Sequence, residues 1–375
     1  MTVEVPTYKA AVLTEIGADP KFAMRRLPRP EPGPNEVLIR LSVTSVCGSD
    51  FGLATGSMGP TRAVLGHEGV GRIEALGSQV RSLDGSIEPG QRVGLAWNRD
   101  VCGRCAFCAD LANEGETRCG ARLFSGVVAD GTFAQLAVAP ARYLIRLPAD
   151  LDAVSDEEVA PILCGGVTAY KAVKACGVTP GRFIAVCGVG GVGLLALAYA
   201  RAMGYRTVGV DVSPDKGLIA CGPHGRADHY VDLSQLPASS SAASTPFSSA
   251  AGDAVKKLTP GGLGVAAVIV ASGAPAAYQA AFGMLAPFGT LMCVGLMPLD
   301  KTVAFHPSAL IAQGWRILSS AVGTRGDILE ALEFTRRRLV VPLTRPGHLE
   351  DMEQIVREVG QSKVQGKYVI RLDED

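Results

Sequence analysis

The chain has 375 residues, of which 47% are hydrophobic and 19% charged, a length and balance that suit two buried cores and argue against disorder. Its 36 basic and 36 acidic residues cancel, which excludes the broad positive surface of proteins that bind nucleic acid or anionic membranes. Because it has ten cysteines and no secretory signal, we expect a cytoplasmic protein whose clustered thiols bind metal.

The first part of the chain contains short segments of alternating apolar and β-branched residues. Prolines and glycines separate them, most densely over residues 27–34. This pattern predicts an antiparallel, β-rich domain with a barrel-like or sandwich-like core. The predicted strands are residues 8–14, 36–46, 70–76, 92–97 and 133–138.

Beyond Pro161 strands and helices alternate, which predicts a doubly wound parallel sheet. Serine and alanine dominate residues 234–251, a composition that indicates a flexible surface insertion. A later helix and a closing strand suggest that the C-terminal tail returns to the first domain. The predicted strands are residues 183–187, 207–210, 266–270, 290–294, 316–322 and 367–372. The predicted helices are residues 168–175, 192–203, 274–285 and 327–338.

A glycine-rich turn lies directly between a predicted strand and a predicted helix. Its G-x-G-x-x-G spacing in this context predicts a dinucleotide site. The first glycine permits a tight turn, the second lets the backbone approach the pyrophosphate, and the third lets the helix pack closely on the strand. The free N–H groups at the helix start favour phosphate. The predicted cofactor-binding residues are Gly188, Gly190, Gly191, Val192 and Gly193.

Asp211 ends the strand that follows the glycine turn, where an acid can hold both ribose hydroxyls. A carboxylate there repels a 2′-phosphate, so we expect NAD rather than NADP. Lys216 lies close behind and weakens this preference slightly.

Three cysteines lie within seven residues, and a further one follows on the same glycine-rich segment. Four thiolates can close a tetrahedral shell around zinc, which makes a structural site. The predicted ligands are Cys102, Cys105, Cys108 and Cys119.

Further candidate metal ligands are spread along the chain as Cys47, His67, Glu68 and Cys164. Thiolates with one imidazole suit zinc, and three protein ligands leave room for a substrate. Such a zinc ion polarises a carbonyl or lowers the pKa of a bound alcohol. Spacing alone does not join these residues, because a lone cysteine is usually a small buried hydrophobe.

Taken together, the motifs resemble the zinc-containing medium-chain alcohol dehydrogenases over nearly the full chain, and most closely their microbial, typically tetrameric branch. The stretches that carry the resemblance are Cys47-Gly48-Ser49-Asp50, Gly66-His67-Glu68-Gly69, the cysteine segment, Ala160 to Lys171, the glycine turn and Gly366-Lys367-Tyr368-Val369.

The resemblance implies a GroES-like catalytic domain interrupted by a Rossmann domain. It divides the chain into residues 1–164, the catalytic domain with the structural zinc lobe, residues 165–321, the NAD-binding domain, and residues 322–375, which return to the catalytic domain. It also implies a homotetramer and two zinc ions per chain, one catalytic and one structural.

The same resemblance assigns roles to single residues. Cys47, His67 and Cys164 would hold the catalytic zinc, and Glu68 would approach the metal while ligands exchange. Asp50 would orient the ring of His67. Ser49 would take the proton from the alcohol. Lys367 would contact the coenzyme pyrophosphate.

Two departures from the family pattern bear on these roles. Gly52 stands where the proton relay often ends in a histidine, so a different pH dependence is expected. The gap between Cys108 and Cys119 is about three residues longer than in the family pattern. This difference weakens the assignment of Cys119 as the last structural ligand.

The substrate is predicted only as a small alcohol or carbonyl compound. The family alignment places Ala54, Met58 and Trp97 at the substrate pocket. Ala54 and Met58 stand where the branch often has bulky aromatic residues, which suggests room for longer, branched or aromatic substrates. Three alternatives remain open at this point. They are a polyol or amino-alcohol dehydrogenase of the same superfamily, a zinc-free enoyl or quinone reductase, and a non-catalytic dinucleotide-binding protein.

Overall fold

The computed structural model describes residues 6–110, 115–236 and 249–372. They divide into two compact units. Unit 1 comprises residues 1–165, 322–336 and 344–375, and unit 2 comprises residues 166–321 and 337–343. In the described ranges, no helix is both long and apolar enough to cross a bilayer.

Unit 1 is built mainly from antiparallel strands. Its strands are β1 (Thr7–Glu15), β2 (Lys21–Pro28), β3 (Glu36–Ser45), β4 (Gly69–Leu76), β5 (Arg92–Leu95), β6 (Asn98–Asp100), β7 (Leu123–Phe124), β8 (Leu136–Pro140), β9 (Ile145–Arg146), β16 (Thr344–Gly347) and β17 (Lys367–Arg371). The largest sheet has the order β16-β17-β3-β4-β5-β9, with β8 also paired to β3. Strand β17 runs antiparallel to β3, so the C-terminal segment adds a strand to the largest sheet of unit 1.

The helices of unit 1 are short. They are α1 (Gly48–Ala54), α2 (Val80–Leu83), α3 (Ala106–Ala109), α4 (Asp156–Val159), α11 (Arg325–Arg336) and α12 (Met352–Gly360). The core combines alternate apolar residues of β1, β3 and β4 with the buried face of α12. Because side chains on a strand alternate between faces, β3 turns Val37, Ile39 and Leu41 inward while Arg40 stays exposed.

Unit 2 is a six-stranded parallel sheet with helices. Its strands are β10 (Phe183–Cys187), β11 (Arg206–Asp211), β12 (His229–Asp232), β13 (Val265–Val270), β14 (Leu285–Cys293) and β15 (Arg316–Ser319). Its helices are α5 (Gly165–Ala175), which begins at the unit boundary, α6 (Gly191–Ala202), α7 (Asp215–Cys221), α8 (Ala250–Lys257), α9 (Pro275–Met284) and α10 (Pro307–Gln313). The order β12-β11-β10-β13-β14-β15 is that of a Rossmann fold, so the predicted fold class is confirmed.

Several predicted boundaries were wrong in detail. Residues 133–135 were assigned to a strand, but β8 begins only at Leu136, because Phe133 bonds instead to the segment before β4 through the carbonyl of Leu65. The last strand of the parallel sheet ends at Ser319, and Val322 has a φ of +44°, which no strand permits. The surface insertion is described only at its flanks, where helix α8 already includes Ala250 and Ala251.

Candidate active site

A buried cluster in unit 1 brings together four side chains from separate parts of the chain. Cys47, His67, Glu68 and Cys164 each offer one ligand atom, and these atoms lie within 4.8 Å of one another. The exposed fractions are 9% for Cys47, 5% for Cys164 and 0% for the other two side chains. The fold therefore joins the residues that their spacing alone left unconnected.

Asp50 contacts the backbone and the histidine ring that position this cluster. Cys47 precedes helix α1, and Asp50 lies at the third position of that helix, where its carboxylate accepts the N–H of Cys47 at 2.9 Å. Its other oxygen accepts the N–H of Gly66 at 3.2 Å and lies 3.1 Å from Nδ1 of His67. The ring N–H is not well aligned with this oxygen, but the contact leaves Nε2 as the free nitrogen.

Glu68 is held from one side only. Its Oε1 accepts the N–H of Gly165 at 2.9 Å and lies 2.5 Å from the ammonium of Lys367, which is 5% exposed. Its Oε2 is buried and finds no hydrogen-bond partner among the described residues. In this structure Lys367 is thus paired with Glu68, a contact that no sequence signal indicated across 299 positions.

The thiols of the cluster differ in acidity. The hydrogen bond from Cys164 lowers the pKa of Cys47 well below its usual value, while that bond and burial raise the pKa of Cys164. Burial raises the pKa of Glu68, although Lys367 opposes the shift. Burial lowers the pKa of His67, but Asp50 and Cys47 outweigh it and the net shift is upward.

The donor set fits a zinc ion. Two soft thiol ligands and one imidazole are a combination that zinc accepts, and the fully buried Nε2 of His67 has no hydrogen-bond partner in the described ranges. A buried polar atom without a partner is costly, and a metal bond would satisfy it. Cys47, His67 and Cys164 would hold the ion, and the free oxygen of Glu68 would lie close by.

The residues that the resemblance assigns to the substrate pocket and the proton path lie in different surroundings. The ring of Trp97 meets the ring of His67 edge-on, with 4.9 Å between centroids, and leans on Phe124 at 5.2 Å. Ser49 is half-buried in α1, next to Cys47. The sulfur and Cγ of Met58 lie over Gly52, less than 3 Å from where a Cβ would stand. Ala54 is fully buried in the core.

A second cluster lies in a lobe of unit 1. The sulfurs of all four predicted ligands lie within 4.8 Å of one another. Cys119, which follows the longer gap, accepts the N–H of Cys102 at 3.4 Å, and Cys105 accepts that of Cys108 at 3.4 Å. Backbone N–H groups of Arg104 and Cys105 lower the pKa of Cys102 to about 6. The lobe can therefore close a shell of thiolates around one metal ion.

The glycine turn of unit 2 has the geometry of a phosphate-binding loop. Gly188 follows β10 with a φ of +92°, which favours glycine. A Cβ on Gly193 would stand 1.8 Å from the carbonyl oxygen of Gly188, so the first turn of α6 needs a glycine there. No atom lies within 4 Å of a Cβ position on Gly190, and Val192 lies in the first turn of α6. A phosphate can thus approach the helix start.

Asp211 closes β11 beside this turn. Its carboxylate accepts the N–H groups of Val189 at 2.6 Å and Val212 at 2.7 Å, and Lys216 contacts it at 3.0 Å. Lys216 therefore pairs with the acid in this structure. Two hydroxyls of a ribose are the natural further partners for such a fixed carboxylate.

Sequence reasoning missed three residues behind the metal cluster. Asn98 follows Trp97, is 7% exposed, and has no hydrogen-bond partner for its amide within the described chain. Tyr143 and Arg325 stack on each other, with 4.2 Å from the guanidinium to the ring centroid. No sequence signal singled out this group, because Asn98 lies in the polar strand β6, Asn98-Arg99-Asp100.

The comparisons with known proteins agree with these features. Residues 33–149 match the model of the alcohol dehydrogenase GroES-like domain, and residues 191–337 match the zinc-binding dehydrogenase model. Alcohol dehydrogenase 2 of Emericella nidulans is 34% identical over 98% of this chain and 99% of its own. An alcohol dehydrogenase of Geobacillus stearothermophilus is 34% identical over 98% of this chain and 100% of its own.

Solved structures show the same likeness. The alcohol dehydrogenase of the hyperthermophilic archaeon Aeropyrum pernix superposes with a TM-score of 0.80 at 26% identity, covering 97% of this chain and 99% of that one. A protein described as an NAD-dependent alcohol dehydrogenase gives a TM-score of 0.81 at 26% identity, with coverage of 97% and 99%.

Proposed function

Since the chain belongs to the zinc-containing alcohol dehydrogenase family, we propose that its buried cluster of Cys47, His67 and Cys164 is the catalytic zinc site. The protein is an oxidoreductase that acts on the CH–OH group of alcohols and on the corresponding carbonyl compounds. The observation that carries the proposal is the convergence of these ligand atoms with Glu68 within 4.8 Å, buried together. A zinc-free reductase has no use for such a set.

When bound, zinc supplies a positive charge that stabilises the developing negative charge on the substrate oxygen, and the nicotinamide accepts or donates the hydride. The chain's own residues do the rest. Asp50 holds the His67 ring so that Nε2 faces the metal. The hydroxyl of Ser49 takes the substrate proton and passes it outward. The ring of Trp97, packed on His67, forms one wall of the substrate pocket.

Glu68 and Lys367 form a buried ion pair beside this site. Burial alone would lower the pKa of Lys367, but Glu68 outweighs it and raises the pKa. We propose that this pair keeps the second carboxylate oxygen available for the metal during ligand exchange. The role of Lys367 at the coenzyme pyrophosphate then requires the ammonium to leave Glu68, and it rests on the family resemblance.

The preferred coenzyme is NAD. The supporting observation is Asp211, whose carboxylate is fixed by two N–H groups at the end of β11 and would repel a 2′-phosphate. Replacement of Asp211 by glycine should relax the preference for NADH over NADPH, with Lys216 then free to meet the phosphate. A variant that keeps the wild-type preference would assign the discrimination to other residues.

A second zinc ion belongs in the lobe of four cysteines. This ion would be structural, because four thiolates leave no open position for a substrate. Cysteines clustered for metal binding also support a cytoplasmic location, since glutathione keeps thiols reduced there.

The protein assembles as a homotetramer. Strand β15 is an edge strand of the parallel sheet, and Ile317 and Leu318 on it are 38% and 37% exposed. Exposed apolar edges pair readily with another copy, so we propose that two copies join along β15 within the tetramer. Light scattering of the wild type and of Leu318→Lys would test this, since the variant should dissociate.

The pocket favours carbonyl compounds larger than acetaldehyde. Gly52 and Met58 leave a flexible thioether where a rigid side chain would otherwise limit the pocket, and Met58 is 36% exposed. If activity fell steadily with each carbon added beyond two, this part of the proposal would be wrong.

The test of the function is turnover of reduced nicotinamide with a panel of aldehydes and ketones. NADH and NADPH are compared in parallel, and a zinc chelator is the control. We expect turnover that the chelator abolishes. No turnover from protein shown to contain zinc would contradict the assignment.

A further inference from the structure

Beside Trp97 lies a small cavity that is separate from both cysteine clusters and from the glycine turn. It has about 10 Å³ of space for the centre of a water molecule. That volume is close to the minimum needed to hold one water. Trp97, Asn98, Tyr143, Leu163, Val322 and Arg325 contribute to its lining, all from unit 1.

Two of the side chains that line the cavity have buried polar atoms without a hydrogen-bond partner among the described residues. Asn98 is 7% exposed, and neither Nδ2 nor Oδ1 has a hydrogen-bond partner within the described ranges. The same holds for Nε of Arg325. Burying an amide or a guanidinium N–H without a hydrogen-bond partner costs free energy, so native proteins rarely contain such groups.

Arg325 cannot turn away to relieve this. Its guanidinium stacks on Tyr143 at 4.2 Å and donates to the carbonyl of Arg142 at 3.2 Å. Its own backbone N–H donates to Glu116 at 3.2 Å, and Glu116 also accepts the hydroxyl of Tyr143 at 2.9 Å. These contacts fix Nε where it is.

The backbone beside the cavity is held in an uncommon conformation. Val322 has a φ of +44°, in the left-handed region that β-branched residues rarely enter. A strained backbone conformation persists only where the surrounding contacts hold it in place, and such conformations are concentrated at binding sites. The conformation is a second observation, independent of the polar atoms, that marks this segment.

We infer that the cavity is a built site for a single neutral hydroxyl oxygen, which accepts the N–H of Arg325 and pairs with the amide of Asn98. The fixed positive charge of Arg325 disfavours a cation, and the carboxylate of Glu116 disfavours an anion. A hydroxyl both donates and accepts, as Asn98 requires. The oxygen is that of a water molecule or of a second hydroxyl on the substrate, because the ring of Trp97 packs on His67 and Leu163 directly precedes Cys164.

The test is crystallographic, with the full-length protein at a resolution that shows ordered waters. Crystals are grown alone and with propylene glycol. We expect density for one oxygen within hydrogen-bond distance of both Asn98 and Nε of Arg325, and none in Asn98→Leu. Should that variant fail to fold, Arg325→Lys removes the same N–H and should displace the oxygen. Asn35→Leu, at an exposed position, is the matched control.

A kinetic arm identifies the source of the oxygen and alone rests on the proposed activity. If it comes from the substrate, Asn98→Leu lowers kcat/KM for propylene glycol relative to propanol by about tenfold or more, because a buried group loses its partner. If it is water, the ratio stays constant and the density persists in both crystals. Either outcome supports the site. Wild-type crystals with no oxygen there, and Asn98 bonded to a protein group, overturn it.

Discussion

Two cysteine clusters of the same unit differ in almost every physical respect. The cluster of Cys47 and Cys164 also holds His67 and Glu68, is buried throughout, and draws on residues more than 100 positions apart. The lobe that begins at Cys102 has thiols alone, lies within one short segment, and is partly exposed. Under the proposed function, this difference would separate an ion that binds substrate from an ion that holds a loop in place.

Under the proposed function, this contrast would explain why one cluster serves the reaction and the other serves folding. A mixed set beside a carboxylate with one unpaired oxygen in the described chain can leave a coordination position for the substrate, whereas four thiolates fill all positions. The buried set depends on the whole sheet for its geometry. Among the described residues, the buried core of the lobe is limited to Val101, Cys119 and Tyr143, so a bound metal would replace the apolar packing that the lobe lacks.

The largest effect is expected from removal of a ligand in the buried cluster. Cys47→Ser should lower turnover by about 1,000-fold or more, because a metal Lewis acid contributes several kcal/mol to the barrier. The zinc content should fall by one ion per chain. Metal analysis and NADH oxidation measure the two quantities. Cys176→Ser, at another buried thiol, is the control, and normal activity in Cys47→Ser would contradict the assignment.

A ligand removed from the lobe should affect stability instead. Cys105→Ser is expected to lower the free energy of unfolding by on the order of 3 kcal/mol, a part of what a structural zinc site contributes. Turnover at low temperature should stay within about tenfold of wild type, since four thiolates leave no open metal position for a substrate. Thermal unfolding and initial rates test this. Cys221→Ser, at an exposed cysteine, serves as the control.

A variant at Cys119 tests whether this residue is the last ligand of the lobe despite the long gap that separates it from Cys108. If it is the last ligand, Cys119→Ser should match Cys105→Ser in lost zinc and lost stability. Retention of the ion by Cys119→Ser alone would mean that another group completes the shell.

A smaller effect is expected at the residue that positions His67. Asp50→Asn should weaken zinc binding or activity by about 10–100-fold, the usual range for partners of metal-binding histidines. It keeps the size of the side chain but loses the carboxylate that accepts from Cys47 and Gly66. Competition with a chelator measures the affinity. If Cys105→Ser lost as much activity as Asp50→Asn, the result would contradict the distinction between the two clusters.

The smallest effect concerns the proton path. With Gly52 in place of a histidine, the wild-type pH–rate curve should lack a limb near about 6.5, the ordinary pKa of an imidazole. Gly52→His combined with Met58→Ala, which clears the space above that position, should add this limb and change the maximal rate by less than about tenfold. A wild-type curve that already shows the limb would be contrary to the prediction.

The sequence was most informative where the chemistry is local. The lobe and the glycine turn were predicted from short spacings, since adjacent residues remain adjacent after folding. The Rossmann sheet followed from the alternation of strand and helix. Strand β2 was missed because its residues are half-buried without clean alternation and run into the proline-rich segment.

The rest depended on contacts that spacing cannot encode. Cys164 joins Cys47 only through the fold, so a family resemblance was needed to connect them. The contact between Glu68 and Lys367 spans 299 positions. Asn98 looks like an ordinary strand residue until burial shows that its amide has no partner among the described groups.

The most direct test of the catalytic site is anomalous diffraction at the zinc absorption edge from crystals of the wild-type protein. We expect one peak among Cys47, His67 and Cys164 and a separate peak in the four-cysteine lobe. Brief chelation that abolishes turnover should remove the first peak. Active protein with a peak in the lobe and none in the buried cluster would contradict the account.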